Sequence, residues 1–396
     1  MIQRALSPRL KTLASRFPVV VISGPRQSGK TTLAKMAFPG YAYVSLENVD
    51  NRRFAMRDPR AFLEQYSKCV IIDEAQHVPE LLSYIQTAVD EKRIPGRYII
   101  TGSQQFNLLH KVSQSLAGRA AYLRLLPFTV AELLGKKARN PDKFPPPPAK
   151  PSARARLTEF LYSGFYPRIH NEKIAPSDFL SSYITAYVER DVRDALKIGD
   201  LMGFQNFVRL CAGRSGQILN LSSLAADCGI SHTTARSWLS VLEASSIVFT
   251  LTPYYRNFSK RIIKSPKLYF MDTGLMCHLL RIRKPQDAAL HPLYGNIFET
   301  FVIGELYKSF CNAGEVPPLY FWRDMTGREI DLIIESARRL TAVEIKAGKT
   351  ISGDFFDNLK YFAKIAKSAT TLALVYAGAD SRKQEGVHVR TWQELS

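Results

Sequence analysis

A chain of 396 residues exceeds one ordinary hydrophobic core, so roughly two to four domains are expected. No apolar run approaches the roughly 18 residues of a membrane-spanning helix, and five scattered cysteines without a C-x-x-C pair speak against a disulfide framework or structural zinc. The formal charge is +19, with residues 1–150 holding 23 basic against 11 acidic side chains, a balance that suits a polyanionic partner, nucleic acid first among them.

Residues 1–135 alternate short apolar runs with stretches long enough for crossover helices. The runs are Val19–Ile22, Tyr41–Leu46, Val70–Ile72, Tyr98–Thr101 and Tyr122–Leu125. That alternation predicts a mainly parallel sheet in an α/β fold. Val19–Ile22 is too short for a signal-peptide core, and a cytoplasmic protein with no membrane partner is expected. Directly after it, Gly24-Pro25-Arg26-Gln27-Ser28-Gly29-Lys30-Thr31 fits G-x-x-x-x-G-K-[ST]. Its glycines let backbone N–H groups turn toward phosphate oxygens, Lys30 reaches the β- and γ-phosphates, and Thr31 offers its hydroxyl to Mg²⁺. An amphipathic helix from Thr32 to Phe38 adds its positive end to the same spot. ATP with Mg²⁺ is the expected cofactor.

The run Cys69-Val70-Ile71-Ile72 ends in Asp73 and Glu74. Asp73 is placed to hold Mg²⁺ through water, and Glu74 to orient the attacking water. On the next strand, Ser103 or Gln104 is a candidate γ-phosphate sensor. Arg119, in Leu116-Ala117-Gly118-Arg119, reads either as an arginine finger acting on a neighbouring subunit or as a structural salt bridge. The first reading implies a homo-oligomer, with a ring as one form.

Residues 136–156 are rich in Lys, Arg and Pro and read as a stiff linker or surface excursion. Residues 157–205 read as a helical lid. Residues 206–255 carry helix-turn-helix grammar, with Asn220 or Ser222 as first cap, a turn at Cys228–Ser231, a second helix from about His232 to Ser245, and a strand at Ile247–Leu251. As a winged helix it would offer His232, Thr233, Arg236 and Ser237 to DNA, although Arg236 is its one clear cation and such modules also bind proteins. A basic connector, 256–290, contains Arg256, Lys260, Arg261, Lys264, Lys267, Arg281, Arg283 and Lys284, and reads either as a phosphate-backbone footprint or as a solvated surface. Lys260, Arg261 and Lys264 are its candidate DNA contacts.

Residues 291–396 read as helix, two strands, helix, strand. Asp331 on the first strand and Glu344 with Lys346 on the second fall on one side of a two-stranded unit. Two carboxylates and a lysine suit metal-assisted phosphodiester hydrolysis with Mg²⁺ or Mn²⁺. Glu299 shares the apolar stripe of the upstream helix with Val302, Ile303 and Leu306, and is either a further metal ligand or a partner of Arg323 or Arg328. Asp272-Thr273-Gly274 has no second copy to make an aspartic protease, and the seven histidines show no ligand spacing.

Gly24 to Leu33, Ile71-Ile72-Asp73-Glu74-Ala75-Gln76, Thr101-Gly102-Ser103, Leu116 to Arg119, Glu189-Arg190-Asp191-Val192 and Pro266 to Leu275 together resemble the AAA-type prokaryotic ATPases with a C-terminal domain of unknown function, DUF4143. The resemblance covers nearly the whole chain. It implies a multi-domain α/β protein: an AAA+-like P-loop core, a winged helix and a nuclease-like C-terminal domain. Asp331, Glu344 and Lys346 are similar to the PD-(D/E)XK site of restriction-endonuclease-like folds, which also persist as inactive binding platforms. The reading that follows is a DNA-directed, oligomeric ATPase whose C-terminal domain binds DNA, with cleavage by that domain left open. Its alternatives are a remodelling motor on branched DNA with a non-cutting nuclease fold, and an ATP-controlled signalling switch.

Overall fold

The computed structural model describes residues 1–66, 68–103, 116–148, 156–186, 200–255, 264–336, 339–366 and 369–395. Two compact units emerge: Met1–Phe128 with Ala244–Ser246 and Phe310–Val316, and Thr129–Glu243 with Ile247–Ser309 and Pro317–Ser396.

The first unit is built on a five-stranded parallel sheet in the order β2-β3-β4-β1-β5, with β1 Val19–Gly24, β2 Ala42–Ser45, β3 Val70–Asp73, β4 Tyr98–Ser103 and β5 Ala120–Arg124. Each apolar run expected to be a strand is one. Val19, Val21, Ile72 and Ile100 face α4 (Pro59–Gln65) and α5 (Leu81–Glu91), burying Phe62, Leu82, Ile85 and Val89. Val20, Ile22, Ile71 and Ile99 face α1 (Ser7–Ala14) and α2 (Lys30–Ala37), burying Leu10, Leu13 and Leu33. Alternate residues feed opposite cores, which is why these strands are apolar throughout rather than alternating with polar residues. β1 lies between β4 and β5, so the chain switches direction across the sheet there. The crevice outside the carboxyl ends at such a point is where open α/β sheets bind ligands.

In the second unit, helices Leu221–Cys228 and His232–Ala244 flank a turn closed by left-handed Gly229. Asn220 caps the first through its side chain, and the Ser231 hydroxyl accepts from the Thr234 N–H. The following strand β7 (Val248–Leu251) joins an antiparallel sheet ordered β6-β8-β7, with β6 Gln217–Ile218 and β8 Lys267–Phe270. A mixed six-stranded sheet, ordered β13-β14-β12-β11-β10-β9, comprises β9 Leu319–Arg323, β10 Glu329–Ser336, β11 Arg339–Lys346, β12 Thr370–Tyr376, β13 Arg382–Gln384 and β14 Val387–Thr391. Helix Asp357–Ile365 packs Leu359 and Phe362 onto the Trp322, Ile333 and Leu374 face of that sheet. Of the described residues after Phe128, only Ala244–Ser246 and Phe310–Val316 lie outside the second unit.

Two stretches differ in character from their local sequence. The described part of the Pro-rich linker is pinned by side chains of the six-stranded sheet: Arg339 donates to the carbonyls of Asp142 and Phe144 at 2.6 and 3.3 Å, and Arg390 to that of Pro146. Asp272 is a buried helix cap, accepting from the N–H groups of Leu275 and Phe165 at 2.9 and 2.7 Å. The Pro266–Leu275 motif thus has a structural task.

Candidate phosphate site and C-terminal acid cluster

The loop between β1 and α2 carries left-handed backbone at Gln27 (φ +62°) and Gly29 (φ +89°), the alternation that turns successive N–H groups into an anion-binding nest. Lys30 is buried and donates to the carbonyl oxygens of Gly24 and Pro25 at 3.1 and 2.9 Å, which holds its ammonium inside the loop. Ser28 is fully buried and its hydroxyl has no hydrogen-bond partner among the described residues. A loop of N–H groups enclosing an ammonium and an unsatisfied hydroxyl fits a nucleotide polyphosphate.

Gly24 is required for a steric reason. A Cβ there would stand 2.0 Å from the carbonyl oxygen of Leu125, a backbone atom that cannot swing aside. Gly24→Ala is expected to displace the loop and abolish ATP binding in a filter or fluorescence titration, with a lower unfolding midpoint. Retained affinity would contradict this account of the loop.

Thr31 and Asp73 meet directly: the Thr31 hydroxyl donates to Asp73 Oδ1 at 2.8 Å. Asp73 also accepts from Thr101 on the same oxygen and from Tyr43 at 3.0 Å on the other. Burial first, then the Asp73 carboxylate, pushes the Tyr43 phenol up to about 12, so it stays a donor. Thr31 and Asp73 are the residues that could hold Mg²⁺ here, one by its hydroxyl and one through water. Glu74 takes a left-handed backbone (φ +56°), which turns its side chain out of the β3 line. Gln76 Nε2 donates both to Glu74 and, at 3.0 Å, to the Ser103 hydroxyl. Ser103 lies in register with Gly24 across the β4–β1 pair, beside the loop. Lys30, Thr31, Asp73, Glu74 and Ser103 therefore gather at the carboxyl ends of β1, β3 and β4. Pro25, Arg26 and Thr32 belong to the same loop and helix start, and Gln104 lies outside the described residues.

Arg4 and Tyr43 had no signal in the local sequence, whereas Gln76 and Thr101 fall in motifs quoted for the family resemblance without a role assigned to them. Arg4 is buried across the Phe128 ring and donates to the carbonyls of Ser28 and Leu126 at 2.7 and 2.6 Å, tying the N-terminal segment to the phosphate loop. Arg119 forms a two-pronged pair with Asp90 at 2.6 and 2.7 Å. It precedes Ala120, which pairs with Val19 at the amino end of β1. Five residues of β1 separate that end from Gly24, roughly 16 Å of extended chain. Arg119 cannot reach its own phosphate loop.

The C-terminal candidates also gather. The register that sets Leu332 opposite Val343 brings Asp331 beside Glu344. Lys346 donates to Glu344 Oε1 at 2.6 Å, and Asp331 Oδ2 accepts from the Ile345 N–H at 2.7 Å. Glu344 Oε2 is buried without a hydrogen-bond partner among the described residues. Glu299, from helix Tyr294–Ala313, accepts from the Tyr269 hydroxyl at 2.6 Å and from Lys267 at 3.0 Å. Lys267 also pairs with Glu329, which in turn pairs with Arg323 at 3.0 Å. Burial, then the Asp331 charge, pushes the Glu344 carboxyl up to about 8. Burial pushes Glu299 up to about 7 against the pull of Lys267, and Asp331 is raised by burial too. Burial alone would lower Lys346, but Asp331 and Glu344 outweigh it and raise it. Among the described residues no three His, Cys, Asp or Glu side chains converge where they could hold a metal ion.

The basic connector needs one correction. Lys267, read as part of a cationic surface, is 3% exposed and lies inside this acid cluster. Lys264, Arg281, Arg283 and Lys284 are exposed, and Lys260 and Arg261 lie outside the described residues. His232, Thr233, Arg236 and Ser237 are all exposed on the second helix of the helix-turn-helix. Among the described residues no helix is long and apolar enough to cross a membrane.

A parallel sheet with this loop after β1 and an Asp–Glu pair after the buried β3 defines a P-loop nucleotide-binding protein. Residues 16–134 match the AAA domain family, 154–286 a domain of unknown function (DUF8612) and 294–395 a domain of unknown function (DUF4143). The uncharacterized protein Rv2008c of Mycobacterium tuberculosis and the uncharacterized protein Mb2031c of Mycobacterium bovis are each 32% identical over 379 residues, 95% of this chain and 80% of theirs. The chain belongs to this family of AAA-type P-loop ATPases with a C-terminal DUF4143 domain. Among solved structures, the Walker-type ATPase of Pyrococcus abyssi is similar at 14% identity and a TM-score of 0.46, covering 71% of this chain and 96% of that one. At that score the likeness says nothing of what the chain acts on.

Proposed function

We propose that this chain binds and hydrolyses ATP with Mg²⁺ and couples the reaction to DNA. The observation that carries the ATPase reading is the meeting of Lys30, Thr31, Asp73 and Glu74 at one end of the parallel sheet. Lys30 would neutralise the β- and γ-phosphate oxygens, Thr31 and Asp73 would hold Mg²⁺, and Glu74 would orient the attacking water with Gln76 steadying its carboxylate. The metal supplies charge neutralisation on the phosphates when bound. Ser103, linked to Glu74 through Gln76, is positioned to report the γ-phosphate to that network. An Arg119 finger would act only in trans, on a neighbouring subunit of an oligomer, after leaving Asp90.

The DNA reading is supported by the +19 charge and by a helix-turn-helix followed by antiparallel strands, the arrangement of a winged helix. Arg236 on its second helix and Lys264 are exposed cations on that side of the chain's sequence. Fluorescence anisotropy on a labelled duplex across a salt series tests it. Binding should weaken linearly in log–log form, and Arg236→Ala or Lys264→Ala should each reduce the slope by about 1. No binding at low salt, with an ATPase rate unmoved by duplex or branched DNA, would leave the signalling switch as the better reading.

A further inference from the structure

A restriction-endonuclease-like site takes a divalent metal between its carboxylates. The corresponding cluster here does not fit one, because a cation of the chain already lies within it. We propose that Lys267 is the built-in counter-cation of the Glu299–Glu329–Asp331–Glu344 cluster, standing in for a divalent metal, so that the C-terminal site is metal-free and does not cut DNA.

The lysine arrives from outside the six-stranded sheet. It opens β8, whose antiparallel pairing with both β6 and β7 fixes the position of its Cα. From there its Nζ lies 3.0 Å from Glu299 Oε1 and is paired with Glu329 as well. Tyr269 stands two residues further along the same strand, hence on the same face, and donates its hydroxyl to the same Glu299 oxygen at 2.6 Å. That oxygen is thereby engaged by two donors of β8. On the other side, Lys346 takes Glu344 Oε1, and Asp331 gives Oδ2 to the Ile345 backbone. Mg²⁺ needs about six oxygen ligands at roughly 2.0–2.1 Å, whereas an ammonium is content with hydrogen-bond distances and separated acceptors. Among the described residues no three acidic side chains converge as the first kind of ion requires, whereas Lys267 already pairs with Glu299 and Glu329. Lys267 pairs with Glu299 and Glu329 and Lys346 with Glu344, so three of the four carboxylates already face an ammonium of the chain.

The test is Mn²⁺ binding by the purified full-length chain without nucleotide or DNA, followed by the loss of the free Mn²⁺ electron paramagnetic resonance signal. Its outcome is thus separate from the ATPase and DNA readings. Wild type and Glu344→Gln should give superimposable isotherms, any shared binding belonging to other sites. Lys267→Met should gain an additional Mn²⁺ that Glu344→Gln, introduced into the same chain, removes. If Lys267→Met does not fold, Lys267→Met combined with Glu329→Gln removes both charges of one pair and replaces it. A Glu344-dependent Mn²⁺ in the wild type would overturn the inference, as would a folded Lys267 variant that gains none.

Discussion

Glu74→Gln should slow ATP hydrolysis by about 10²- to 10³-fold while leaving ATP affinity within a few-fold of wild type. The carboxylate lies outside the phosphate loop; its neighbours include the Gln76 amide and, through the Glu74 N–H, the Thr101 hydroxyl. Glutamine keeps the size and the left-handed backbone but loses the charge that polarises a water. The loss therefore falls on the chemical step, at about 3–4 kcal/mol of activation free energy. Steady-state phosphate release beside an equilibrium titration with a non-hydrolysed ATP analogue separates the two. An equal loss in both would assign Glu74 to binding or to the fold.

The stability of the second unit should fall as pH rises from 4.5 to about 8, and Glu344→Gln should flatten much of that slope. Below its ordinary value of 4.5, Glu344 is protonated folded or unfolded and nothing distinguishes the states. Above it, the unfolded chain sheds the proton while the buried carboxyl keeps it up to about 8, so unfolding gains throughout that window. At 1.36 kcal/mol per pH unit the span amounts to about 5 kcal/mol. Glu299 and Asp331, also raised, act in the same direction. Lys346 is raised above 10.5 and keeps its contribution constant across this range. The chain's three tryptophans, Trp238, Trp322 and Trp392, all belong to the second unit, so urea unfolding followed by tryptophan fluorescence reads that unit alone. A midpoint that rises with pH, or identical slopes in the two proteins, would contradict the burial of Glu344.

The phosphate site was legible because its requirements are local. A loop that must curl around phosphates needs glycines at fixed offsets, and a buried β3 that must end in acids spells four apolar positions before Asp73. The partners of those residues were not legible. Tyr43 and Arg4 reach Asp73 or the loop from 30 and 24 positions away, and nothing in their own neighbourhoods differs from an ordinary strand or terminus. Lys267 shows the opposite failure. Its sequence neighbours are basic, so charge counting assigned it to a surface, while its real surroundings are acids on Glu299 and Glu329, dozens of residues later. One signal existed: in Lys267-Leu268-Tyr269-Phe270, a lysine opens a strand buried at every position, and a buried ammonium requires carboxylates nearby.

The most direct test of the central claim is phosphate release from ATP by the purified full-length chain, with and without Mg²⁺, in the presence and absence of duplex DNA, beside Lys30→Ala. Mg²⁺-dependent turnover that Lys30→Ala reduces at least about 100-fold is the predicted result. Turnover that survives Lys30→Ala, or its absence from the wild type in every condition while ATP still binds, would contradict an ATPase built on Lys30, Thr31, Asp73 and Glu74.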